Sequence, residues 1–142
     1  MSQVQVKIQR INDAYHFRAS NESGNTLDLD ASADIGGENK GFRPMQLLLA
    51  AVGSCSAIDV VSILKKQKQH ITHFDVEVDA DRQSVEEHSE YKTIHIHFKL
   101  SGNIDQEKAE KAARLSIDKY CSVSKALEPL SKITYTVSIL PS

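Results

Sequence analysis

"PMQLLLAAVGSCSAIDVVSILKKQKQ", Pro44 to Gln69, is the stretch on which the fold turns. Pro44 suits a first helical position, where its missing N–H is no loss and its fixed φ is helical. Lys65, Lys66 and Lys68 stand near the far end, where cations complement the helix dipole. From Met45 to Leu64 apolar residues occupy nearly all faces, broken by the small residues Gly53, Ser54 and Ser56. A helix that is apolar all round has to be buried. A chain of 142 residues has few elements with which to surround such a helix, so the pattern predicts a dimer. The helix also carries Cys55, and the only other cysteine, Cys121, follows far downstream in "DKYCSVSKAL".

The flanks of the helix read as strands. Upstream, Val4, Val6 and Ile8 alternate with polar neighbours, the period of a half-buried strand. "AYHFRAS" follows a turn at "IND", and "NESGN" is a stronger turn before Leu27, Leu29 and Ala31 alternate again. A three-strand meander is expected, then a loop at "GGENKGF". Downstream, Phe74, Val76, Val78 and Ala80 alternate, as do Ile94, Ile96, Phe98 and Leu100. These predict a long hairpin joined through the polar "RQSVEEHSE". Asp105 to Lys119 has helical spacing in Ala109, Ala112, Ala113 and Ser116, and "CSVSKALEP" predicts a short third helix closed by Pro129. "ITYTVSI" is a last strand. The order βββ-α-ββ-α-α-β over 1–142, in one domain, is an α+β arrangement around a long buried central helix.

Composition narrows the function. With 40% hydrophobic and 25% charged residues the chain is ordinary globular material. A net charge of -2 without runs of like charge gives nucleic acid and anionic membranes no electrostatic support as partners. The longest apolar stretch, around Leu47–Val52, is too short to span a bilayer. "MSQVQVKIQRIND" lacks a signal-peptide layout, so a soluble, cytoplasmic protein is expected. In that compartment two widely spaced cysteines argue against a structural disulfide framework.

The residues alone leave the cysteines open. Cys55, on an apolar helix, has the setting of a small hydrophobe. Cys121 falls where one helix ends and the next begins, so N–H groups there, with Lys119 and Lys125 nearby, could stabilise a thiolate. Among the six histidines, His95 and His97 share one strand face, opposite Ile94, Ile96 and Phe98, and so face solvent. His70 and His73 fall near the end of the long helix. Neither pair has the companion spacing of a zinc site, and no phosphate loop or serine nucleophile motif occurs, so no metal or cofactor is expected.

With both cysteine segments in view, the chain resembles the OsmC/Ohr family of peroxide-related proteins over nearly its whole length. The likeness rests on "RPMQLLLAAVGSCSAIDVV" and on "YCSVSKAL", in this order and at this separation. The resemblance implies an OsmC-like fold and an intertwined homodimer in which long central helices are covered by both subunits' sheets. It implies that Cys55 is the peroxidatic thiol and Cys121 the resolving one, in a cycle that reduces organic hydroperoxides and is reset by an external dithiol. The wording of the helix is nearest to a less characterised branch of the family.

One departure bears on the activity. Peroxidases of the family carry a Glu directly after the helix-initial Pro, working with an Arg to hold the thiolate and orient the peroxide. Here that position is Met45, followed by Gln46, and neither supplies a charge. A residue ten positions before Cys55 lies about 15 Å away along a helix, so it could serve only a partner's thiol. Arg43 in "GFRP" is the candidate substrate-binding residue, with Arg18 in "HFRAS" the other arginine in view. The missing carboxylate favours an alternative, a fold relative that binds small apolar or electrophilic ligands at the dimer interface without peroxidase turnover.

Overall fold

A computed structural model describes residues 2–141. The elements follow the expected order, and the described residues divide into two compact units between Leu48 and Leu49.

The first unit is an antiparallel meander of β1 (Val6–Arg10), β2 (Phe17–Asn21) and β3 (Thr26–Leu29), with β2 in the middle. β2 starts later than "AYHFRAS" suggests. Asn12 Oδ1 accepts the N–H groups of Ala14 (3.0 Å) and His16 (3.1 Å), which bends the chain through the residues before Phe17. β3 stops at Leu29 and leaves out Ala31, because Asp30 turns the chain. The buried Asp30 carboxylate accepts the N–H groups of Ala31, Glu38 and Lys40 and gathers the loop around itself. Those three bonds hold its pKa below the usual carboxylate value although burial pushes the other way. A short 3-10 turn, Ala33–Ile35, lies within this loop, and Leu29 bridges Phe42 just before the long helix.

The helix α1 runs Pro44–Lys66, as expected. Beyond it lie β4 (His70–Val85), β5 (His88–Asn103), α2 (Gln106–Leu115), a π turn (Ser116–Tyr120), α3 (Ser122–Leu127) and β6 (Lys132–Leu140). β4 and β5 pair antiparallel, and β6 joins the other edge of β5 parallel to it. Parallel neighbours require a crossover, and α2 with α3 supplies it. "RQSVEEHSE", expected as a joining loop, is mostly strand: pairing continues to Val85 and His88, and only Glu86 and Glu87 form the tip. Polar side chains on an exposed ladder end are compatible with pairing, and this is why their polarity misled. His70 and His73 lie just past the end of α1, as expected, in β4.

The core of the second unit is one face of β5 against the helices. Ile94, Ile96, Phe98 and Leu100 are buried with Val52, Val60 and Leu64 of α1 and Ala109, Ala112 and Ala113 of α2. At Gly53 α1 passes close to the sheet: a Cβ there would stand 2.8 Å from a methyl of Val78. Within the chain alone, α1 buries one stripe, Val52, Ser56, Val60 and Leu64, four residues apart. Ile58 is 66% exposed and Val61 39%. By length and composition α1 is long and apolar enough to cross a membrane, contrary to the reading from the short uninterrupted run. The small residues inside the helix dilute that run without lowering the average hydropathy enough. The buried stripe and the approach at Gly53 give α1 a packing role in this unit.

Candidate functional site

Cys55 stands beside the buried stripe of α1 and is half-buried, whereas Cys121 is fully buried. Both are free thiols. The chain reaches Cys121 through the π turn, in which the Cys121 N–H donates to the Ser116 carbonyl at 2.7 Å. Such a turn holds one residue more than an α turn and re-aims the chain beyond it. Cys121 is then extended and caps α3, its Sγ accepting the Ser124 N–H at 3.4 Å. The Ser124 hydroxyl donates in turn to the Ile117 and Cys121 carbonyls, both at 3.0 Å.

The two thiols lie near each other. Burial pushes the Cys121 pKa up, the neighbouring Cys55 raises it further, and the Ser124 N–H opposes them. The expectation that the helix start would favour a Cys121 thiolate is therefore corrected: one N–H does help, but desolvation outweighs it. The lysines are engaged elsewhere, Lys119 over the Tyr120 ring and Lys125 with Glu128 at 3.4 Å. At neutral pH Cys121 is a protonated thiol beside a more accessible one. Such a pair can carry one negative charge, form a disulfide, or condense a sulfenic acid on one sulfur with the thiol of the other.

Sequence reading passed over a neighbour of this pair. Asp59, one helical turn after Cys55, accepts the Ser116 hydroxyl at 2.8 Å. It is the only charged residue between Met45 and Leu64, which was the available signal. Asp59 also lines an open groove of about 590 Å³ whose apolar walls are Ile63, Leu115 and Tyr120, with Lys66 beside them.

Arg43 directly precedes α1; its backbone N–H donates to Gln46, and its guanidinium donates to Asn39 (3.1 Å) and the Gly41 carbonyl (3.2 Å). Arg18 is held in the meander by Asp28, through Nε at 2.7 Å and Nη2 at 3.1 Å, with His16 on the same carboxylate at 3.0 Å. Arg18 first, then His16, draws the Asp28 pKa down to about 2. His95 and His97 lie on the sheet face opposite the core, against Thr134 and Thr136, with Asp79 on His97 at 3.0 Å. Among the described residues, no three His, Cys, Asp or Glu side chains are gathered so that they could hold a metal ion.

Comparison with known proteins bears on the whole chain. Residues 37–136 match the model of the family described as OsmC-like protein. Protein YhfA of Escherichia coli (strain K12) is 33% identical over 125 residues, spanning 87% of this chain and 90% of that protein. A hypothetical protein from Aquifex aeolicus VF5 superposes with a TM-score of 0.80 at 30% identity, covering 99% of each chain. An organic hydroperoxide resistance protein OsmC from Legionella pneumophila has the same fold, with a TM-score of 0.73 at 18% identity over 97% of this chain and 98% of its own.

Proposed function

Because the chain belongs to the OsmC-like protein family, we propose that it reduces organic hydroperoxides with Cys55 and Cys121. The observation that carries this reading is a pair of free thiols near enough to act on each other's ionisation, one half-buried and one buried. A thiolate at Cys55 attacks the distal peroxide oxygen; the S–O bond forms as the O–O bond breaks, and the alkoxide leaves as an alcohol on taking up a proton. Cys55 becomes a sulfenic acid. Cys121 then attacks that sulfur, the S–S bond forms, and the displaced hydroxide leaves as water with the Cys121 proton. A raised pKa at Cys121 suits this order, since a second thiolate would repel the first. An external dithiol takes the disulfide back to two thiols by exchange.

The organic part of the substrate would lie in the groove floored by Ile63, Leu115 and Tyr120. Arg43 is proposed to meet the peroxide at the thiol of a second copy in a homodimer. The apolar Ile58 and Val61, exposed on α1, support such a partner.

One equivalent of an organic hydroperoxide added to the reduced protein, with intact-mass and peptide analysis, tests the reading. A Cys55–Cys121 disulfide in wild type and none in Cys55→Ser is expected. Thiols unchanged after minutes would refute it and favour the second reading, a ligand-binding relative, for which Met45 in place of a carboxylate is the supporting observation.

A further inference from the structure

We infer that Asp59 is a positioning residue for Cys121, acting through the hydroxyl of Ser116. This rests on the thiol pair of the proposed function and deepens it.

Residues four apart on a helix lie on the same side, one turn from each other. Thus α1 presents Cys55 and Asp59 together to the corner between α2 and α3. Cys55 lies near Cys121, and Asp59 accepts from Ser116 at 2.8 Å. Ser116 is fully buried, and its hydroxyl has the Ser56 carbonyl as a second, longer partner at 3.4 Å. Ser116 opens the π turn, and its own carbonyl receives the Cys121 N–H at 2.7 Å. The connections close a ring: Cys55 to Asp59 along α1, Asp59 to Ser116, Ser116 to Cys121, and Cys121 back to Cys55. A π turn is less regular than the α-helix it interrupts, so the aim of Cys121 depends on what fixes its first residue. A hydrogen bond to a charged acceptor is shorter and stronger than one to a neutral acceptor, and it gives the corner a directed anchor.

The consequence is read in how readily the two sulfurs join. In a glutathione redox buffer, one glutathione disulfide takes two electrons from the Cys55 and Cys121 thiols, leaving two glutathione thiols and one protein disulfide. The equilibrium constant reports how well the folded chain places one sulfur against the other. Asp59→Ala and Ser116→Ala should each lower that constant by about tenfold or more, since misplacement by an ångström costs up to about 10²-fold in comparable encounters. The pair of substitutions together should cost no more than one alone, because both remove the same bond. Asp59→Asn, whose amide oxygen still accepts from Ser116 but without the charge, should lose clearly less than either alanine variant. Loss of general stability alone would move urea midpoints without this ordering among the variants. An unchanged constant in either alanine variant, or an equal loss in Asp59→Asn, overturns the inference. No peroxide enters the measurement, so inertness toward hydroperoxides would sink the proposed function without touching this result.

Discussion

Adding one carbon at Gly53 should destabilise the protein, although in most helices the same change stabilises. Gly53 is buried on α1, and a new Cβ would stand 2.8 Å from Cγ2 of Val78 and 3.6 Å from Cγ1 of Val76. In a helix interior Gly→Ala is worth about 1 kcal/mol in backbone propensity. Against this, Val78 is β-branched and has little rotamer freedom with which to withdraw its methyl. Overpacking of that kind costs about 1–3 kcal/mol. The balance for Gly53→Ala is a loss of about 1 kcal/mol. Val78→Ala removes the obstructing methyl, so Gly53→Ala made in that background should recover the propensity gain of about 1 kcal/mol. The two sites are thus coupled by about 2 kcal/mol, within the range seen for residues in contact. Urea unfolding of the four proteins at one fixed concentration measures this, since association shifts the midpoint. A wild-type background in which Gly53→Ala stabilises, or a cycle without coupling, would refute the close approach of α1 to β4.

Iodoacetamide should modify Cys55 well before Cys121, because Cys121 is fully buried with a raised pKa; equal labelling in the native protein would contradict that burial. Asp28, held to about pKa 2 against an ordinary 3.8, binds fewer protons in the folded state than in the unfolded one. Its contribution is therefore present above about pH 4 and fades as pH falls toward 2, so the urea midpoint should decline over that window and Asp28→Asn should flatten the decline. Asp30→Ala leaves the N–H groups of Glu38 and Lys40 without their acceptor, and hydrogen exchange at those two amides should quicken while β5 is unaffected.

Alternation and helical spacing carried most of the fold, because burial on one face imposes them directly. Ile94, Ile96, Phe98 and Leu100 are legible in this way, and so is α1 from its opening proline to its lysines. Errors fell where hydrogen bonds and not burial decide the backbone. The late start of β2 depends on the Asn12 side chain, and the early end of β3 on the Asp30 carboxylate. Neither leaves a periodic trace. At the candidate site the residues left Cys55 and Cys121 open and the family resemblance singled them out; the electrostatic character of Cys121 came out differently, since a helix start is visible in sequence and the degree of desolvation is not. Asp59 was visible as a charge on an apolar helix, yet its partner Ser116 could be known only from three dimensions.

The π turn makes the segment before Cys121 intolerant of changes in length. Deleting one residue between Leu115 and Cys121 would let the helix relax to regular α geometry, with each residue turning about 100° around the axis. The cysteine would then leave the corner at a different angle, with the same amino acids on either side of it. Variation in chain length among descendants of this sequence should therefore gather at the Glu86–Glu87 tip and avoid the five residues Ser116–Tyr120, however exposed Tyr120 is.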